Sequence, residues 1–128
     1  NVSEADVTGT PVAKSLSAML GYEGINVGVQ GLLDNGSSPK AILSETMQGY
    51  RVLDVSGCDM EAVLYYVNKK TPVFAMTSAT EAVLITGYDA NTVTIYDAAL
   101  GTAHREEIDK AAERFAQAGN IFLAYLKD

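Results

Sequence analysis

The stretch from Thr80 to Asp97, T-E-A-V-L-I-T-G-Y-D-A-N-T-V-T-I-Y-D, leaves this chain little freedom of fold. Ala82 to Tyr88 is rich in β-branched and apolar residues, Asp89-Ala90-Asn91 carries turn chemistry, and Thr92 to Tyr96 alternates Thr and Tyr with Val and Ile. The pattern predicts a β-hairpin. Glu81 opens its first strand and Asp97 closes its second, so antiparallel pairing brings the two backbones to the same end. Two carboxylates so placed can be a catalytic pair, a cation site or ordinary strand-end solubility, the last being the commonest. As a cation site they supply too few ligands for a hard ion such as calcium.

Upstream, Thr10-Pro11 has the chemistry of a helix start, with Thr as N-cap and Pro at the first helical position. Val12, Leu16, Met19 and Leu20 then fall on one face, and Gly21 or Gly24 ends the helix. This helix is expected to be central, with Leu16, Met19 and Leu20 packed against the sheet that contains Val83, Ile85, Val93 and Ile95. A short helix within Val27 to Leu33 follows, and Ser38-Pro39 repeats the cap-and-proline start for another helix that runs toward Gly49. Tyr50 to Val55 reads as a strand or an extended connection. Cys58-Asp59-Met60 begins a helix reaching Asn68-Lys69-Lys70, and Thr71 to Thr77 is a strand with its proline near the start. After the hairpin come a strand from Thr102 to Glu106, an amphipathic helix from Ile108 to Ala118, and an apolar strand from Ile121 to Leu126. Asn1 to Gly9 is read as an extended lead-in. Helices come first, then mainly strands with one late helix, which is an α+β plan: an N-terminal helical layer packed on an antiparallel β-sheet.

The segment V-L-I-T-G-Y-D, followed by I-Y-D, resembles the His-bearing hairpin of papain-like cysteine peptidases of the double-glycine-leader type, whose motif is close to H-A-V-V-I-T-G-Y-D. The stretch Leu16-Ser17-Ala18-Met19-Leu20-Gly21-Tyr22-Glu23-Gly24 is similar in register to that family's L-A-M-x-x-x-Y-Y-G, and the similarity runs from Thr10 to Leu126. The resemblance implies a papain-like fold. It also implies where catalytic groups would stand: Pro11 occupies the nucleophile's place, Glu81 that of the histidine base, and Asp97 that of the residue that orients it. Cysteine peptidase chemistry needs a thiolate to attack and an imidazole to exchange its proton. A proline and a glutamate supply neither. Thr10 is the nearest hydroxyl, but it has no adjacent base and is read as a cap.

Two other residues have the chemistry for catalysis. Cys58 is the single cysteine and lies near a helix start, where a thiolate is favoured, but a lone free cysteine is usually a small buried hydrophobe. His104 is the single histidine, seven residues beyond Asp97 and flanked by polar Arg105 and Glu106, which reads as a solvated strand side chain.

The chain has 128 residues, enough for one domain that removes roughly two-thirds of its unfolded surface from water. Residues 1–128 are therefore expected to be one domain, and the opening at Asn1 is read as excision from a longer chain. A formal charge of −7 opposes binding to nucleic acids or anionic membranes, and no apolar run is long enough to span a bilayer. No cofactor motif or metal-ligand spacing appears. Taken with the resemblance, the expectation is a non-catalytic papain-like domain, a peptide-binding or structural module of a larger bacterial protein, extracytoplasmic or at the cell surface. The alternative is an active cysteine peptidase with a non-standard site built from Cys58 and His104.

Overall fold

The computed structural model describes residues 10–127; the lead-in read at Asn1 to Gly9 lies outside the described residues. The expected elements are present in the expected order. Helix α1 spans Pro11–Gly21, α2 Val29–Asp34 and α3 Pro39–Thr46; strand β1 is Tyr50–Asp54, and helix α4 is Met60–Asn68. Strands β2 (Val73–Met76), β3 (Ala82–Tyr88), β4 (Thr92–Asp97) and β5 (Thr102–Glu107) follow, then helix α5 (Ile108–Gln117) and strand β6 (Phe122–Lys127).

Local chemistry sets the helix starts. Thr10 accepts a hydrogen bond from the Ala13 amide through its side chain and is followed by proline, and Ser38 does the same for Ala41 ahead of Pro39. Asp59, not Cys58, caps α4 by accepting from the Ala62 amide, so the helix begins at Met60, two residues later than a Cys58 start would have it. An aspartate outcompetes a thiol there because its carboxylate accepts the orphan amide and complements the helix dipole.

All strand pairings are antiparallel and the six strands lie in the order β1-β6-β2-β3-β4-β5. The late strand β6 is interior, paired with β1 on one side and β2 on the other. The predicted hairpin forms with one irregularity: Ile85 pairs with Ile95 but Gly87 with Thr94, so Thr86 is bulged out.

The packing meets one expectation and refines it: α1 lies on the sheet that contains Val83, Ile85, Val93 and Ile95, but on the face opposite those side chains. Leu16, Met19 and Leu20 are buried against Phe74, Ala82, Leu84, Leu123 and Tyr125, together with α2 and α3. Val83, Ile85, Val93 and Ile95 belong to the opposite face, where they pack with Val63 and Val67 of α4 and Ala111 and Phe115 of α5. The physical reason is strand alternation: neighbouring residues on β3 point to opposite faces, and all of Ala82, Val83, Leu84 and Ile85 are buried. A helical layer therefore covers each face. α1 to α3 form the N-terminal layer, and α4 with α5 form a second one behind the sheet.

Candidate functional site

At one end of the sheet, β3 begins, β4 ends and α1 is attached to β3. The attachment is specific. Ser15, on the buried side of α1, donates its hydroxyl hydrogen to the carbonyl of Ala82 at 2.9 Å, and the bond is buried. A small polar residue is needed here because it lets the helix approach the strand and satisfies a strand carbonyl. The bond sets the helix, whose first residue is Pro11, beside the strand that Glu81 precedes.

Thr10 is occupied at all of its polar groups, its carbonyl accepting from the Lys14 amide. Its hydroxyl caps α1, and its amide donates to Gln30 Oε1 of α2 at 2.9 Å. Pro11 has no ionisable atom. Glu81 is exposed and lies in the turn between β2 and β3, where its carbonyl accepts from the Thr77 amide and its carboxylate from the Ser78 hydroxyl at 3.4 Å. Asp97 is the last residue of β4, and continuing the Leu84–Tyr96 register puts it across from Val83. Its carboxylate accepts from the Ala99 and Leu100 amides and so closes the turn into β5. The two carboxylates are thus at the same end of the hairpin, but each serves its own turn, and among the described residues no hydrogen bond joins them. Among those residues no group of three or more His, Cys, Asp or Glu is placed to hold a metal ion.

Cys58 and His104 are not brought together. The Cys58 amide donates to Val55 O just beyond β1, and its side chain packs on the core beneath α4. His104 stands on β5 at the other edge of the sheet, with its side chain 48% exposed and Nε2 3.0 Å from Glu106 Oε1. Glu106 is shared with Arg114 of α5, whose Nη2 is 2.8 Å away. β1 and β5 are the two edges of the six-stranded sheet, on the order of 24 Å apart at ordinary strand spacing.

A family profile, described as the Peptidase_C39 like family, matches residues 12–123. The chain belongs to that family. A crystal structure from Bacillus anthracis, of a protein assigned as a C39-like peptidase, superposes on this C39-like chain with a TM-score of 0.78 at 18% sequence identity. The superposition covers 94% of this chain and 89% of the other, so the fold is shared over nearly the full length. A comparison with curated proteins finds no match.

Sequence reasoning passed over one enclosed charged group. Glu23, in the turn after α1, has its side chain only 8% exposed and takes three donors: Tyr125 Oη at 2.6 Å, Tyr50 Oη at 3.1 Å and Lys127 Nζ at 3.4 Å. Burial pushes the Glu23 carboxyl up, but the hydrogen bonds from Tyr125, Tyr50 and Lys127 outweigh it and hold the group below the usual glutamate range. Burial and then the Glu23 carboxylate drive the Tyr125 phenol well above its ordinary value. The tyrosines are 27 and 102 residues from Glu23 in sequence, so no local spacing announces the cluster. It ties the end of α1 to the β1 and β6 strands at the end of the sheet opposite Glu81.

Proposed function

We propose that this chain is a non-catalytic member of the C39-like family that serves as a peptide-binding or interaction module of a larger bacterial protein outside the cytoplasm. One observation carries the reading: the first residue of α1 is Pro11, and the only thiol, Cys58, packs on the other face of the sheet. A helix N-terminus favours a thiolate through its partial positive charge, but a proline has nothing to ionise. Glu81 deepens the loss, since a carboxylate at that place repels an anionic nucleophile where an imidazolium would stabilise it.

The test is direct. Purified protein is expected to leave double-glycine leader peptides and casein intact, and a thiol-directed probe is expected to label Cys58 slowly unless the protein is denatured. Rapid labelling near neutral pH with parallel loss of peptide cleavage would establish an active cysteine peptidase instead. Cleavage that survives Cys58→Ala would show that a different group acts as nucleophile.

A further inference from the structure

Strand β5 is an edge of the sheet, six residues long and paired without a bulge to β4. One contact fixes which of its backbone groups are free. The Ile108 amide donates to the carbonyl of Asn91 at 3.0 Å, continuing the register in which Glu107 faces Thr92. Residues along an antiparallel strand alternate between bonding their neighbour and bonding away from it. Thr102, His104 and Glu106 therefore bond β4, while Ala103, Arg105 and Glu107 turn their amides outward. All three are exposed, and among the described residues their amides meet no acceptor. Helix α5 leaves the edge open, because it turns back over the sheet face where Arg114 meets Glu106. A row of outward N–H and C=O groups two residues apart is matched by another extended backbone, added as a further strand.

The side chains decide whose backbone fits. A second copy pairing antiparallel about a twofold axis sets one residue of β5 opposite itself. With Arg105, Glu106 or Glu107 on the axis, like charges stand directly opposite and destabilise the pair. With Ala103 or His104 there, Glu107 runs past the start of the partner strand and no carboxylate directly faces Arg105. Two chains of net charge −7 also repel. A foreign strand has none of these restrictions. Arg105 and Glu107 lie on one face of β5, with side chains 74% and 67% exposed. Their present partners are exposed too, Asp89 at 4.0 Å from Arg105 and Lys110 at 3.4 Å from Glu107, so neither pair resists replacement. An incoming antiparallel strand matches them with a cation opposite Glu107, an acid opposite Arg105 and a β-branched residue opposite Ala103. The charges that keep the edge from its own copy thus select the strand that fits it.

We infer that the β5 edge captures an extended peptide as an antiparallel strand, with a cation, an acid and a β-branched residue at alternate positions from its N-terminal end. The inference rests on the peptide-binding reading above and gives it an address and a sequence class.

The experiment is an NMR titration of the wild-type chain with N-acetyl-Thr-Lys-Thr-Glu-Thr-Val-Thr-amide. The peptide is expected to shift the amides of Ala103, Arg105 and Glu107 and to slow their hydrogen exchange. The same peptide with its lysine and glutamate exchanged keeps composition and charge, and is expected to bind about fivefold more weakly, as two exposed cross-strand pairs allow. A methyl on the glutamate nitrogen, which faces β5, is expected to abolish the shifts, whereas one on the nitrogen of the next threonine, which faces solvent, is expected to leave them. Arg105→Glu combined with Glu107→Lys is expected to reverse the preference between the two peptides; Glu107 makes no side-chain bond at the start of α5 for the change to break. No shift at millimolar peptide, equal binding of both peptides, or indifference to the site of methylation would each overturn the inference. Sedimentation as a dimer that the double variant disrupts would overturn it too, by giving the edge to a second copy. Shifts confined to the Glu81 turn would overturn the edge and leave the peptide-binding reading standing. Cleavage of the peptide, read by mass spectrometry, would overturn the non-catalytic reading and leave the edge standing.

Discussion

Glu23 shows what one buried charge does in this molecule. Removing a carboxylate from water is costly, and here three donors from two strands offset the cost. Its folded pKa is depressed, so the stability it contributes is fully present above the ordinary glutamate value of about 4.3 and is lost as pH falls through the lower folded value. Glu23→Gln keeps the shape and removes the charge, and is expected to cost about 1–3 kcal/mol near neutral pH. Urea titrations between pH 3 and pH 7 check the sign: the gap between wild type and variant should be widest at the neutral end and close on acidification. A gap that does not change with pH would mean that the carboxylate is not what the tyrosines hold. Tyr125→Phe removes the 2.6 Å donor and is expected to destabilise in the same pH window, because the buried carboxylate is then short of a partner.

Among the elements, α1 and β3 decide what the site at their junction can become. The Ser15 to Ala82 hydrogen bond is buried and joins them, so Ser15→Ala, which orphans the strand carbonyl, is expected to cost about 1–3 kcal/mol by chemical denaturation. The same junction frames a reconstruction. Pro11→Cys alone would place a thiol at the helix start with Glu81 as a neighbouring anion, and Glu81→His alone would supply a base with nothing to activate. Combined on a Cys58→Ala background, with Asp97 left to orient the new imidazole, they are expected to lower the pKa of the thiol at position 11. The pH dependence of alkylation reads this directly, and equal thiol pKa values in the single and double variants, both folded, would show that position 81 does not act on position 11. The element starts were legible in the sequence for a physical reason: Thr10-Pro11 and Ser38-Pro39 cap helices through contacts three residues long. What Glu81 and Asp97 do was not legible. Each is held by its own turn, and the partners Ser78, Ala99 and Leu100 are chosen by loop geometry that no hydrophobic period encodes.

The whole molecule is a sheet shared by two cores. The alternation of Ala82, Val83, Leu84 and Ile85 sends successive side chains into different cores, yet a period of two says only that faces differ, not which helix covers which. This is why the sequence put α1 on the sheet that contains Val83 and Ile85 without saying that the face it covers is the one carrying Ala82 and Leu84. The shared strands make a prediction about cooperativity. Leu16 and Ile95 are both fully buried, one on each face, and they share no core cluster. Leu16→Ala is expected to cost about 2–5 kcal/mol and Ile95→Val about 0.5–1.5 kcal/mol. Because the sheet separates the sites, the double variant is expected to lose the sum of the two to within about 0.5 kcal/mol. Because β2, β3 and β6 contribute side chains to both cores, neither core can melt without stripping those strands of half their burial. Both variants should therefore shift one common unfolding transition, monitored by tyrosine fluorescence and far-ultraviolet circular dichroism together. Two transitions, each moved by only one of the substitutions, would mean that the helical layers unfold independently and that the sheet does not couple them.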